Sequence, residues 1–78
     1  MEVKINISLK DGVLDPQAKA IYNALHSLNF TEVKNVYFNK QIKLNIDIDD
    51  EKKAYERVQS MCEELLANTV IEDYEIII

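Results

Sequence analysis

Lys10-Asp11-Gly12-Val13-Leu14-Asp15-Pro16-Gln17 holds the only glycine and the only proline of this 78-residue chain, and there one periodicity gives way to another. Before it, Val3, Ile5, Ile7 and Leu9 alternate with Glu2, Lys4, Asn6 and Ser8, the period of two of a strand with one buried face. After it, Ala18, Ile21, Tyr22, Leu25 and Leu28 recur at the spacing of a helical stripe. Gly12 breaks the strand. Asp15 fits an N-cap and Pro16 the first helical position, where its missing N–H leaves nothing unpaired. The stretch reads as a strand-to-helix joint, and Asn29 as the left-handed terminator of the helix it opens.

A second alternation starts at Val36 and Phe38 and resumes at Ile42, Leu44, Ile46 and Ile48. Asn39-Lys40 lies between, so the expectation is a hairpin with Asn39 at positive φ. Asp49 or Asp50 caps a second helix, with Glu51 in its first turn. Ala54, Val58, Met61 and Leu65 form the expected core stripe of that helix, flanked by Tyr55, Cys62 and Leu66. Leu65-Leu66-Ala67-Asn68-Thr69-Val70-Ile71-Glu72-Asp73-Tyr74 is then a second joint, from helix into the last strand, where Tyr74, Ile76 and Ile78 alternate. The order is βαββαβ. With right-handed crossovers it predicts an α+β, ferredoxin-like two-layer sandwich, a four-stranded antiparallel sheet with two helices on one face. No linker, repeat or low-complexity tract divides it, so residues 1–78 read as a single domain.

Composition narrows the function. A core this small is only marginally stable alone, and one cysteine makes no intrachain disulfide, so association is the expected source of further buried surface. A lone cysteine fits a reducing cytoplasm. The strand expected from the second or third residue leaves no room for a leader, and the short apolar runs cannot span a membrane. A net charge of −5, with Arg57 the sole arginine, repels phosphate backbones and argues against nucleic acid as a partner.

No constellation carries catalysis. His26 has no carboxylate or nucleophile at helical spacing and reads as a partly exposed surface histidine. Cys62 has no His or Lys beside it to activate its thiol and reads as a buried, inert one. Asp47, Asp49, Asp50 and Glu51 lack the glycine and spacing of a calcium loop, and a strand end followed by a helix cap explains them. Glu72 and Asp73 fit a surface turn or a contact. The outward positions Lys4, Asn6, Ser8, Gln41, Lys43, Asn45 and Asp47 offer no aromatic to stack RNA bases. No Cys-x-x-Cys or first-loop arginine serves a metal chaperone or an acylphosphatase. No catalytic residue, cofactor site or metal site is expected, which leaves an interaction module. Ile76-Ile77-Ile78 lies on an expected edge strand without a gatekeeping charge, Ile77 points away from the core, and Tyr37 projects from the open sheet face. These features favour a homodimer or a higher homo-oligomer.

The two joints resemble, in order and spacing, those of the small S subunit of phosphoribosylformylglycinamidine synthase, the PurS family, and the likeness runs across essentially the whole chain. The resemblance implies a cytoplasmic, dimeric, non-catalytic subunit that joins a glutaminase to a large ATP-dependent synthetase in purine biosynthesis. Ammonia released from glutamine then converts formylglycinamide ribonucleotide to its amidine. It also marks Gly12, Val13, Leu14, Asp15, Pro16 and Gln17, with Asn68, Val70, Glu72, Asp73 and Tyr74, as candidate subunit-contact residues, to which the exposed edge adds Ile77. Two positions depart from the family pattern: Thr69 stands where proline is frequent, and Asn39 replaces a frequent hairpin glycine. The competing reading is a regulatory domain of the ACT type, which shares the βαββαβ order and takes small molecules near a glycine of the first β–α loop.

Overall fold

The computed structural model describes all residues from Met1 to Ile78. Strand β1 spans Glu2–Leu9, helix α1 Pro16–Ser27, strand β2 Lys40–Asn45, helix α2 Glu51–Met61 and strand β3 Glu72–Ile77, with a π-helical turn over Cys62–Leu66 closing α2. The sheet has three strands in the order β2-β1-β3, both neighbours antiparallel to β1. Val3, Ile5 and Ile7 are fully buried because the central strand meets α2, whose Ala54, Val58 and Cys62 are equally inaccessible. These three lie at i, i+4 and i+8, one side of the helix. Ile42, Leu44, Tyr74 and Ile76 close the layer from the flanking strands.

Both helix starts follow from their caps. Asp15 Oδ1 accepts from the N–H groups of Gln17 and Ala18 at 3.0 and 3.2 Å, and Asp50 rather than Asp49 does the same for Lys52 and Lys53. Asn29 takes φ 71° after α1, the left-handed conformation its side chain tolerates.

Three expectations are overturned. The fourth strand is absent: after the turn at Thr31–Glu32, residues 33–39 continue without bend or turn straight into β2. The hairpin at Asn39-Lys40 therefore does not exist, and Asn39 has no positive φ. Val36, Phe38, Lys40, Ile42, Leu44 and Ile46 share one parity, as in a single long strand. A two-residue turn at 39–40 would have set Phe38 opposite Gln41 and put Gln41 and Lys43, not Ile42 and Leu44, on the core face.

The two helices do not jointly cover one sheet face. Only α2 packs on the central core, and α1 buries Ala18 alone. The radius of gyration is 16.1 Å and the longest extent 50 Å; a compact chain of this length has a radius of about 11.5 Å. Residues 16–39 thus form an arm, with α1 lying along 34–39. His26 Nε2 donates to the Val33 carbonyl at 2.8 Å, the His26 ring stacks 4.3 Å from Tyr22, and Phe30 N–H donates to Leu25.

The end of α2 is the third correction. Ala67 N–H bonds Cys62 O at 3.1 Å, five residues back, and that wide turn shifts the helical register by one residue. Leu66 turns inward and Leu65, expected in the core, is 82% exposed. No helix is long and apolar enough to cross a membrane.

Candidate functional site

Because β1 is antiparallel to both neighbours, its C-terminal end lies beside the N-terminal ends of β2 and β3. Both joints therefore converge at one end of the sheet. Lys10 ties them: its N–H donates to Ile71 O at 2.8 Å, and its ammonium meets Asp73 Oδ1 at 2.6 Å. Gly12 follows at φ 83°, a left-handed turn that returns Val13 N–H to Lys10 O at 3.2 Å. That tight reversal delivers Asp15 to its capping position.

The second joint is knotted by two side chains. Asn68 Oδ1 accepts from Val70 N–H at 3.2 Å, while Asn68 O accepts from Ile71 and Glu72. Glu72 reaches back to accept from Asn68 N–H at 2.7 Å and meets the Lys40 ammonium at 3.3 Å. The Asn68 N–H, more than Lys40, holds the Glu72 carboxyl below its ordinary range against the opposing effect of burial. A hollow of about 190 Å³ between the joints is lined by Leu9, Asp15, Gln17, Phe38, Lys40 and Glu72.

On this framework the apolar tips face outward. Val13 is half-buried, but Leu14 is 75% exposed, which is incompatible with a hydrophobic staple clamped under α1. Val70 is 82% exposed on the other joint. Pro16, Gln17, Asn68 and Asp73 are exposed around them, and Glu72 and Tyr74 are half-buried. Burial and the nearby Glu63 carboxylate raise the Tyr74 phenol. Ile77 lies at the far end of β3, opposite Lys4, and does not join this surface. Lys10 and Lys40 carry no signal in the sequence: only strand pairing brings them to Asp73 and Glu72, and no local periodicity marks it.

The sequence's candidate chemical groups sit elsewhere. His26 braces the arm. Cys62 is fully buried in the core, and burial followed by the adjacent Glu63 charge pushes its thiol up, away from the reactive thiolate. No three His, Cys, Asp or Glu side chains converge as metal ligands would. Asn6, Gln41 and Glu75 form a polar hydrogen-bonded row on the open sheet face.

The chain is thus a small α+β protein whose two joints, tied at one end of an antiparallel sheet, present the exposed apolar side chains Leu14 and Val70. The profile of the PurS family, described as phosphoribosylformylglycinamidine (FGAM) synthase, matches residues 2–78. The PurS subunit of that synthase from Bacillus subtilis is 49% identical over 73 residues, covering 94% of this chain and 86% of that protein. The crystal structure of Methanocaldococcus jannaschii PurS, one of the subunits of formylglycinamide ribonucleotide amidotransferase in the purine biosynthetic pathway, superposes with a TM-score of 0.87 at 43% identity, covering 97% of this chain and 92% of that one. A chain of the PurLQS structure from Thermotoga maritima gives a TM-score of 0.87 at 34% identity, covering 97% and 93%. The chain belongs to the PurS family, the S subunit of phosphoribosylformylglycinamidine synthase in purine biosynthesis. The ACT-type alternative finds no support in these matches. Coverage of 97% includes the α1 arm, so the elongated shape is shared with the solved relatives.

Proposed function

We propose that this chain is a non-catalytic, cytoplasmic homodimer that joins the glutaminase and the large synthetase of its complex, with the paired joints as a contact surface. The observation that carries this reading is Leu14, a large apolar side chain three-quarters exposed on a loop pinned by Gly12, Lys10 and the Asp15 cap. A rigid loop that presents an apolar tip is suited to fill a pocket on another subunit. Gly12, Val13, Pro16 and Gln17 shape that loop, and Asn68, Val70, Glu72, Asp73 and Tyr74 shape the adjoining one, with Ile77 a contact at the opposite end.

Joining the two catalytic subunits affects rate without chemistry by this chain. Ammonia released into bulk water at neutral pH is protonated and loses its nucleophilic lone pair. A sealed passage between glutaminase and synthetase delivers it unprotonated to the ATP-activated amide of formylglycinamide ribonucleotide. Leu14→Asp in the reconstituted complex is expected to lower glutamine-dependent synthesis at least tenfold, while ammonia-dependent synthesis falls less than threefold and circular dichroism of the isolated variant stays unchanged. Normal glutamine-dependent turnover in the folded variant removes the loop from the contact.

A further inference from the structure

β3 is an edge of the sheet and pairs only with β1. Its hydrogen-bonding phase follows from the Lys10 N–H bond to Ile71 O at 2.8 Å, which continues the β1–β3 register one pair beyond Leu9 and Glu72. Bonded pairs recur at every second residue of an antiparallel ladder. Asp73, Glu75 and Ile77 therefore direct their N–H and C=O groups to β1, while Glu72, Tyr74, Ile76 and Ile78 direct theirs outward. The Glu72 N–H is taken by Asn68 O at 2.7 Å, but the outward groups of Tyr74 and Ile76 bond nothing within the chain.

The side chains beside this free edge have a definite pattern. Tyr74 and Ile76 turn to the core, and Glu75 and Ile77 lie exposed on the open face. Among the β3 carboxylates, Glu72 meets Lys40 and Asp73 meets Lys10, whereas Glu75 meets only the Asn6 amide at 3.5 Å and no cation. An edge with free backbone groups takes an added strand, and its side chains choose which one. We infer that the β3 edge receives an extended segment of one of the catalytic subunits, with a lysine or arginine opposite Glu75 and apolar residues opposite Tyr74, Ile76 and Ile77.

Charge decides against a second copy as the occupant. A two-fold antiparallel pairing sets one residue against itself. Centred on Tyr74 it opposes Asp73 to Glu75, and centred on Glu75 it opposes that carboxylate to its own mate. Centred on Ile76 or Ile77 it gives Glu75 no cation and joins two chains of net charge −5. From another copy, the β2 edge would bring Lys43 to Glu75, but that head-to-tail contact propagates as a filament instead of closing. A basic strand from a different chain meets every condition. The edge also continues the surface of the joints, since β3 leaves the second joint at Glu72 and carries the contact to Ile77 at its far end.

The inference rests on the proposed joining of the two catalytic subunits and adds the chemistry of one contact. Amide hydrogen exchange tests it: exchange is run on the chain alone and on its complex with glutaminase and synthetase, then quenched and read by NMR on the recovered chain. In the chain alone, Tyr74 and Ile76 are expected to exchange fast and Asp73 and Glu75 slowly, and in the complex Tyr74 and Ile76 slow by about tenfold or more. Protection of Tyr74 and Ile76 already in the chain alone assigns the edge to a second copy and overturns the inference. A second measurement uses Glu75→Lys, expected to keep the wild-type circular dichroism and to weaken assembly by about tenfold or more, with Glu75→Gln in between. Wild-type assembly by the folded Glu75→Lys chain overturns the basic partner. A complex that assembles with Tyr74 and Ile76 unprotected refutes this inference alone; a wild-type chain that assembles with neither subunit refutes the proposed function.

Discussion

Replacing Glu72 by alanine removes the carboxylate that closes the second joint on itself and ties it to β2. The Asn68 N–H loses a charged acceptor at 2.7 Å, and hydrogen bonds to charged groups contribute about 1.5–3 kcal/mol. The low end applies, because Asn68 is exposed and water replaces the acceptor. The Lys40 ion pair, half-exposed on the lysine side, adds about 0.2–0.5 kcal/mol. The sum is about 2 kcal/mol, or roughly 8–16 °C in midpoint for a chain of this size. Urea unfolding followed by circular dichroism, at one fixed protein concentration because association raises apparent stability, measures it. The folded carboxyl titrates below the unfolded one. Its contribution is therefore full above the unfolded value, about 4.3, and is lost as pH falls through the lower folded value. The gap between wild type and Glu72→Ala should stay constant from pH 7 to pH 5 and shrink below about pH 4. A gap of the same size at pH 3, or one under about 0.5 kcal/mol at pH 7, refutes the assigned role of Glu72.

Asp15→Ala deletes the acceptor of two α1 N–H groups and should cost about 1 kcal/mol, a loss of a few degrees in a thermal melt; Asp15→Asn, which keeps an acceptor, should recover most of it. His26→Ala and Cys62→Ser should each leave glutamine-dependent synthesis by the reconstituted complex within a few-fold of wild type when assayed at low temperature. Cys62→Ser should also lower the melting temperature, because it sets a hydroxyl in a fully buried apolar position. A hundred-fold loss of activity in either folded variant, about 2.7 kcal/mol in the barrier, would reveal a direct chemical role.

Features that rest on local chemistry are legible in the sequence itself. Val3, Ile5 and Ile7 alternate, so the central strand and its buried face are set by a period of two that needs no partner to be recognised. Asp15-Pro16 and the run Asp49-Asp50-Glu51 mark where their helices start because capping involves only the next three residues, and the structure then selects Asp50 over Asp49 as the cap. Asn29 ends α1 by its own tolerance of positive φ. The two joints carry the family because their turns depend on residues within a few positions of one another.

What depends on partners distant in the chain is decided by tertiary structure. Asn39-Lys40 is compatible with a turn, but whether a strand folds back there depends on what lies beside it, and β1 pairs with the second half of the segment only. The unbroken parity from Val36 to Ile46 is the signal against a hairpin. Leu65 and Leu66 are interchangeable on a helical wheel until a π turn chooses between them, and the bond from Ala67 to Cys62 forms where α2 must release the chain towards β3. The stripe of α1 correctly marks a helix with an apolar side, yet a stripe states only that something covers it. Which surface does so, in this chain or a second copy, is settled by where the ends of β1 and β2 direct the arm, and no local pattern contains that information.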